Sequence, residues 1–204
     1  MRKNRGLQQG IALRITTLLV ICIVSTTASA GPATYDRAWW NATDTDQRTE
    51  FLAGYLDCAG NDLGNKAVAN AQWDVIEPEI TRYYSTRTET AETVPSLLLR
   101  FGSGRPPSTD PAPEVYPGSH GFFDGDYWRQ LSESGRRGFV EGYLACYTSA
   151  SRSHELHDHQ AEWYADKLSS FYCFIGNTCA DVHASEGERA AEKIAIVLQR
   201  LGAQ

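Results

Sequence analysis

The chain matches itself when slid by 88 residues, so whatever it folds into must be something that two copies of one unit can share. Trp40, Arg48, Phe51, Gly54, Tyr55, Leu56 and Cys58 recur as Trp128, Arg136, Phe139, Gly142, Tyr143, Leu144 and Cys146. That is seven identities in the 19 positions from Trp40 to Cys58, where chance supplies about one. Asp36 recurs as Asp124, and Ile80, Tyr83 and Tyr84 meet Leu168, Phe171 and Tyr172 at the same offset. Beyond them the offset becomes 100, so that Leu98, Arg100 and Gly102 meet Leu198, Arg200 and Gly202. Twelve extra residues therefore fall in the second copy, in the stretch that holds Cys173 and Cys179.

The periodicity of each copy is helical, and no strand signal of comparable strength appears. Phe51, Leu52, Tyr55, Leu56 and Ala59 form a stripe of helical spacing, repeated by Phe139, Val140, Tyr143, Leu144 and Tyr147. Asp44 or Asp46 can cap the first of these helices, and the second starts near Ser132. Gly54 and Gly142 lie inside them, where glycine costs about 1 kcal/mol relative to alanine, which points to a close helix crossing. A second helix carries Ile80, Tyr83 and Tyr84, with Pro78 in its first turn. Its counterpart is expected from about Glu155 to Phe174. A third helix ends each copy at Gly102 and Gly202, where glycine suits a left-handed cap. In the second copy Ser185 and Glu188 form a capping box ahead of the apolar set Ala191, Ile194, Ala195, Leu198 and Leu201. The expectation is an all-α fold of two tandem copies, about three helices each, packed together with disulfides. The copies cover residues 31–102 and 122–204, joined by a Pro/Gly-rich linker over 103–121 that holds five of the chain's eight prolines.

Residues 1–30 read as a signal peptide: Arg2, Lys3 and Arg5 precede an apolar run from Ile15 to Val24, and Ala28-Ser29-Ala30 offers a cleavage site. That run is about ten residues, short of the roughly 20 that cross a bilayer, so no membrane span is expected after cleavage. Lipidation at Cys22 and an uncleaved anchor are the alternatives. The expected location is the periplasm or the outside of the cell. The segment holds four of the 19 basic residues and no acid, leaving −10 on the rest of the chain. Such a surface repels phosphate backbones, which argues against a nucleic-acid partner. Cys58, Cys146, Cys173 and Cys179 remain, an even number that reads as two disulfides. Equivalent residues near a pseudo-twofold axis meet, which favours Cys58–Cys146, with Cys173–Cys179 closing a local loop. Crossed pairing and buried thiols stay open.

Few constellations carry chemistry. His154, His157 and His159 crowd together with Glu155 and Asp158, and on a helix His154, His157 and Asp158 share a face that could grip a metal. The spacing is not the H-E-x-x-H of zinc proteases. A solvated polar helix start is the simpler account of the cluster and is favoured over a metal site. No serine sits in a nucleophile elbow. Asp124, Asp126 and Glu141 could supply carboxylates, but no spacing singles them out. Arg48, Arg136, Trp40, Trp128, Tyr55 and Tyr143 are of the types that anchor protein interfaces and could form a duplicated binding surface. They could instead build each copy's core, the reading favoured because duplicated units keep what holds them together. No cofactor is implied.

The stretches Phe-Leu-Ala-Gly-Tyr-Leu-Asp-Cys (51–58), Ile80-Thr-Arg-Tyr-Tyr and Leu97-Leu-Leu-Arg-Phe resemble the small exported helical immunity proteins that neutralise amidase toxins of type VI secretion systems. The resemblance implies an exported helical protein with a disulfide that blocks another protein by binding it. The expectation is therefore a non-enzymatic exported binding protein, with a protein of the envelope or the exterior as its partner. A metal-binding protein or enzyme built on the histidine cluster, and a structural envelope component, are the alternatives.

Overall fold

A computed structural model of the chain describes residues 34–61, 73–103, 123–149, 156, 159–173 and 190–203. They hold eight helices and no strand: α1 (Arg37–Ala42), α2 (Thr45–Asn61), α3 (Trp73–Thr86), α4 (Val94–Ser103), α5 (Gly125–Gln130), α6 (Glu133–Ser149), α7 (Ala161–Tyr172) and α8 (Ile194–Gly202). The expected signal peptide, the expected linker beyond Ser103, the expected Ser185–Glu188 capping box, His154, His157 and Asp158 lie outside the described residues. No described helix is long and apolar enough to cross a membrane.

The centre of the molecule is the pair α2 and α6. Their contacts run in one direction along both helices: Ser132 beside Asp46, Gly142 beside Phe51, Cys146 bonded to Cys58. The two helices are therefore parallel. They also touch backbone to backbone. A Cβ on Gly54 would stand 2.0 Å from the Phe139 carbonyl oxygen, and one on Gly142 would stand 1.9 Å from that of Phe51. Gly138 is equally tight against the Gln47 carbonyl oxygen, at 2.2 Å. The close crossing expected from Gly54 and Gly142 is present, and only glycine permits it. At the far end Cys58 and Cys146, both fully buried, form a disulfide with Cα atoms 6.1 Å apart. Cys173 is disulfide-bonded as well, and its expected partner Cys179 lies outside the described residues.

The remaining helices clothe this pair with contacts that recur at the sequence offset. Asp36 accepts from the amides of Ala38 and Trp39 to start α1, and Asp124 accepts from Asp126 and Tyr127 to start α5. The Trp40 indole donates to Thr81 of α3, and the Trp128 indole donates to Ser169 of α7. The Tyr84 and Tyr172 hydroxyls donate to the carbonyls of Glu92 and Glu192 at 2.9 Å each. Phe51, Leu52, Ile76, Ile80 and Leu97 join Phe139, Val140, Leu168, Ile194 and Leu198 in one continuous core.

Four local expectations are corrected. Each half starts with a short helix, α1 or α5, that periodicity could not show because six residues are less than two turns. Helix α3 starts at Trp73, so exposed Pro78 lies in its interior rather than its first turn. Helix α7 starts at Ala161 rather than near 155. Gly202 does not end α8 in a left-handed cap, because Ala203 follows in ordinary helical geometry. Its role is space: a Cβ there would stand 2.2 Å from the Leu156 side chain.

Two substitutions test the central pair. Gly54→Ala or Gly142→Ala forces the two backbones apart and should destabilise the chain by about 2 kcal/mol or more in urea unfolding. Gly135→Ala, whose added Cβ would meet only side-chain atoms, the nearest at 3.2 Å, should cost clearly less. Replacing Cys58 and Cys146 by serine opens a cross-link spanning 88 residues and should lower stability by about 4–5 kcal/mol on the chain-entropy scale. An unchanged unfolding midpoint would show that the bond adds nothing to what packing already holds.

Candidate functional site

Ser132 stops the chain after α5 and turns it into α6, its hydroxyl accepting from the Gly135 amide at 3.1 Å and donating to Asp46 of α2 at 3.0 Å. Glu133 then occupies the first turn, where a carboxylate complements the partial positive charge of a helix start. Helix α7 passes alongside and presents Glu162, Ala165 and Asp166. Between these two helices opens a groove of about 550 Å³, walled also by Ser134, Arg137 and Gln47.

Below the groove lies a polar chain that crosses from one half to the other. Glu141 is buried, with its side chain 7% exposed. It accepts from the Gln47 amide nitrogen at 2.8 Å and from Arg137 Nε at 2.9 Å. Arg137 also reaches Glu162 of α7 at 2.8 Å, a pair that is half exposed on both sides. The hydrogen bond to Glu141 raises the Arg137 guanidinium above its ordinary value, against the opposing effect of burial. A buried carboxylate is tolerable only with such partners, and here each of its oxygens accepts from one donor. Tyr35 lies in the same field: burial first, then the Glu141 charge, raises its phenol.

Behind the first turn of α6 sits a second carboxyl, Glu50 of α2, which accepts a hydrogen bond from the Tyr127 hydroxyl of α5. Burial pushes Glu50 up to about 7, the neighbouring Asp46 adds to it, and the Tyr127 hydrogen bond opposes. Burial also raises Tyr127 well above its ordinary value, with the Glu50 charge second.

The candidate interface residues are distributed differently. Trp40, Trp128, Tyr55 and Tyr143 are each at most 3% exposed and form part of the core. The Tyr143 hydroxyl accepts from Gln199 of α8. Arg48 lies over the Trp40 ring, donates to the carbonyls of Trp40 and Thr43, and pairs with Glu77 of α3 at 3.1 Å. Arg136 likewise lies over Trp128 and donates to the carbonyls of Trp128 and Arg129. Each arginine thus donates to carbonyls at the end of the short helix before it. Asp124 and Asp126 are absorbed locally, the first as a helix cap and the second in a pair with Arg129. Among the described residues no group of three or more His, Cys, Asp or Glu could hold a metal ion. His159, the described member of the histidine cluster, stacks on Trp163 with ring centroids 3.9 Å apart.

The Gln47–Glu141–Arg137–Glu162 chain was not among the candidates from sequence. Arg137 and Glu141 stand at helical i,i+4 spacing, which is a readable signal, but such pairs abound on solvated helices. What marks this pair is the burial of Glu141. No protein-family model, curated protein or solved structure matches the chain.

Glu50 generates a pH dependence. Its carboxyl ordinarily titrates near 4.5 and here near 7, so across that window the folded chain holds a proton that the unfolded chain has released. Its contribution to stability is present below pH 4.5 and is lost as pH rises through about 7. Glu50→Gln should remove that slope. Urea unfolding at pH 5 and pH 8 should show the wild type losing about 1–3 kcal/mol more than the variant. Equal losses would rule out Glu50 as the titrating group.

Proposed function

We propose that this chain is an exported, non-enzymatic binding protein, built from two tandem copies of one helical unit, that acts on another protein in the periplasm or outside the cell. The observation that carries this reading is the groove between α6 and α7, walled by polar and charged side chains that are anchored from below by the Gln47–Glu141–Arg137 chain. Side chains held in one geometry before a partner arrives lose little freedom when it binds, which is what a rigid recognition surface needs. The Cys58–Cys146 disulfide supports export, because such bonds persist in oxidising compartments. The contacts that recur at the sequence offset support duplication. The stretch 51–58, which resembles exported immunity proteins against secreted amidases, points to inhibition by binding as the mode of action.

The test is capture from the envelope fraction of the host on the oxidised mature chain, followed by reconstitution with the purified partner. The expected outcome is one dominant protein that binds at a fixed stoichiometry and loses its own activity when bound. If nothing rises above background at physiological salt, the binding-protein reading fails.

A further inference from the structure

We propose that the groove between α6 and α7 receives a basic segment of the partner protein, an arginine- or lysine-bearing stretch, and that the second half of the chain alone carries this site. The proposal rests on the binding-protein reading and names the chemistry of what is bound.

The first support is charge complementarity. Glu133, Glu162 and Asp166 face a space in which Arg137 is the only basic lining residue among the described residues. Arg137 is already engaged, by the buried Glu141 and by Glu162. Glu133 and Asp166 are exposed. Glu162 and Asp166 stand one turn apart on α7, a like-charge i,i+4 spacing in which Arg137 already engages Glu162. The half-exposed Arg137–Glu162 pair is one that an incoming guanidinium or ammonium can share or exchange without disturbing the Arg137 hold on Glu141. About 550 Å³ is within the size range of specific pockets and leaves room for more than one side chain.

The second support comes from the chain's own repeat, which acts as an internal control. Where the fold needs a residue, both halves supply it: Phe51 and Phe139, Gly54 and Gly142, Cys58 and Cys146. Around the groove they part. The positions 88 residues before Glu133, Arg137 and Asp166 hold Thr45, Thr49 and Pro78, while the one before Glu162 keeps an acid, Asp74. The position before Glu141 holds Ala53, fully buried in the core. Packing at that place is therefore met by a methyl group, and the second half places a carboxylate there at the cost of desolvating it. The difference is accounted for if Glu141 exists to fix Arg137 and so to shape the groove. Gln47, the other donor to Glu141, stands 88 residues before Gly135, so this pairing too belongs to one side of the molecule only.

The experiment titrates the oxidised mature chain with a hexa-arginine peptide, and with hexaglutamate as a control, by calorimetry and by mapping amide shifts at 150 mM salt. The expected result is binding of hexa-arginine alone, with shifts concentrated in residues 132–137 and 161–168. Asp166→Asn should weaken it at least fivefold. Glu89→Gln, which removes the same charge from an exposed position outside the groove, should change it less than twofold. Both altered residues are exposed, and an unchanged helical circular dichroism signal confirms that each variant folds. Equal weakening by the two variants, shifts scattered over the surface, or no binding would overturn the proposal. Capture of the natural partner separates the two readings. A Glu133→Gln, Asp166→Asn double variant that still retains the partner removes the groove and leaves the binding protein standing. Loss of capture by the wild type removes the binding protein, while the peptide titration still decides the groove.

Discussion

Two helices of this protein run side by side with their backbones in contact, and the rest of the architecture follows from that. At Gly54 and Gly142 there is no room for a single methyl group, so α2 and α6 approach more closely than helices separated by side chains. Parallel helices align their dipoles, which is mildly unfavourable. The pair persists because the close approach lets Phe51, Tyr55, Phe139 and Tyr143 interleave around it in one core, and because Cys58 and Cys146 close its far end. The flanking helices then find equivalent seats on the two sides. The indoles of Trp40 and Trp128, each held by a hydroxyl on the helix it packs against, set those seats.

On this near-symmetric frame the polar residues are not symmetric. Gln47 and Glu141 meet across the central pair on one side, and Glu50 meets Tyr127 on another. Both are carboxyls at the join between the halves, Glu141 buried and Glu50 half-buried, yet their surroundings treat them oppositely. Glu141 has an arginine and an amide as donors, which suit the ionised form. Glu50 has a single phenol and a neighbouring acid, so burial prevails and the proton is held to near neutral pH. One lies beneath the groove between α6 and α7, and the other behind the start of α6.

Much of this was legible in the residue pattern. The offset between Trp40 and Trp128 announced equivalent helices, and the paired glycines announced their close crossing. Symmetry favoured the pairing of Cys58 with Cys146 over crossed pairing and free thiols, and the structure holds that bond. The short helices α1 and α5 were not legible, because six residues show no period, even though Asp36 and Asp124 are good caps. The burial of Trp40 and Tyr55 was open, since a large aromatic residue serves a core or an interface equally well. The arginines Arg48 and Arg136 needed the structure too: their partners are mainly main-chain carbonyls, which sequence does not label.

The sequence by itself determined the helical class, because periodicity is a property of order along the chain, and its repetition at 88 residues pointed to the Cys58–Cys146 bond. The tertiary structure alone decided that Glu141 is buried, that Gln47 from the other half meets it, and that α6 and α7 leave a groove above them. Those depend on which side of a helix meets which neighbour. Residues 94 positions apart can share a hydrogen bond only after the backbones have closed at their glycines.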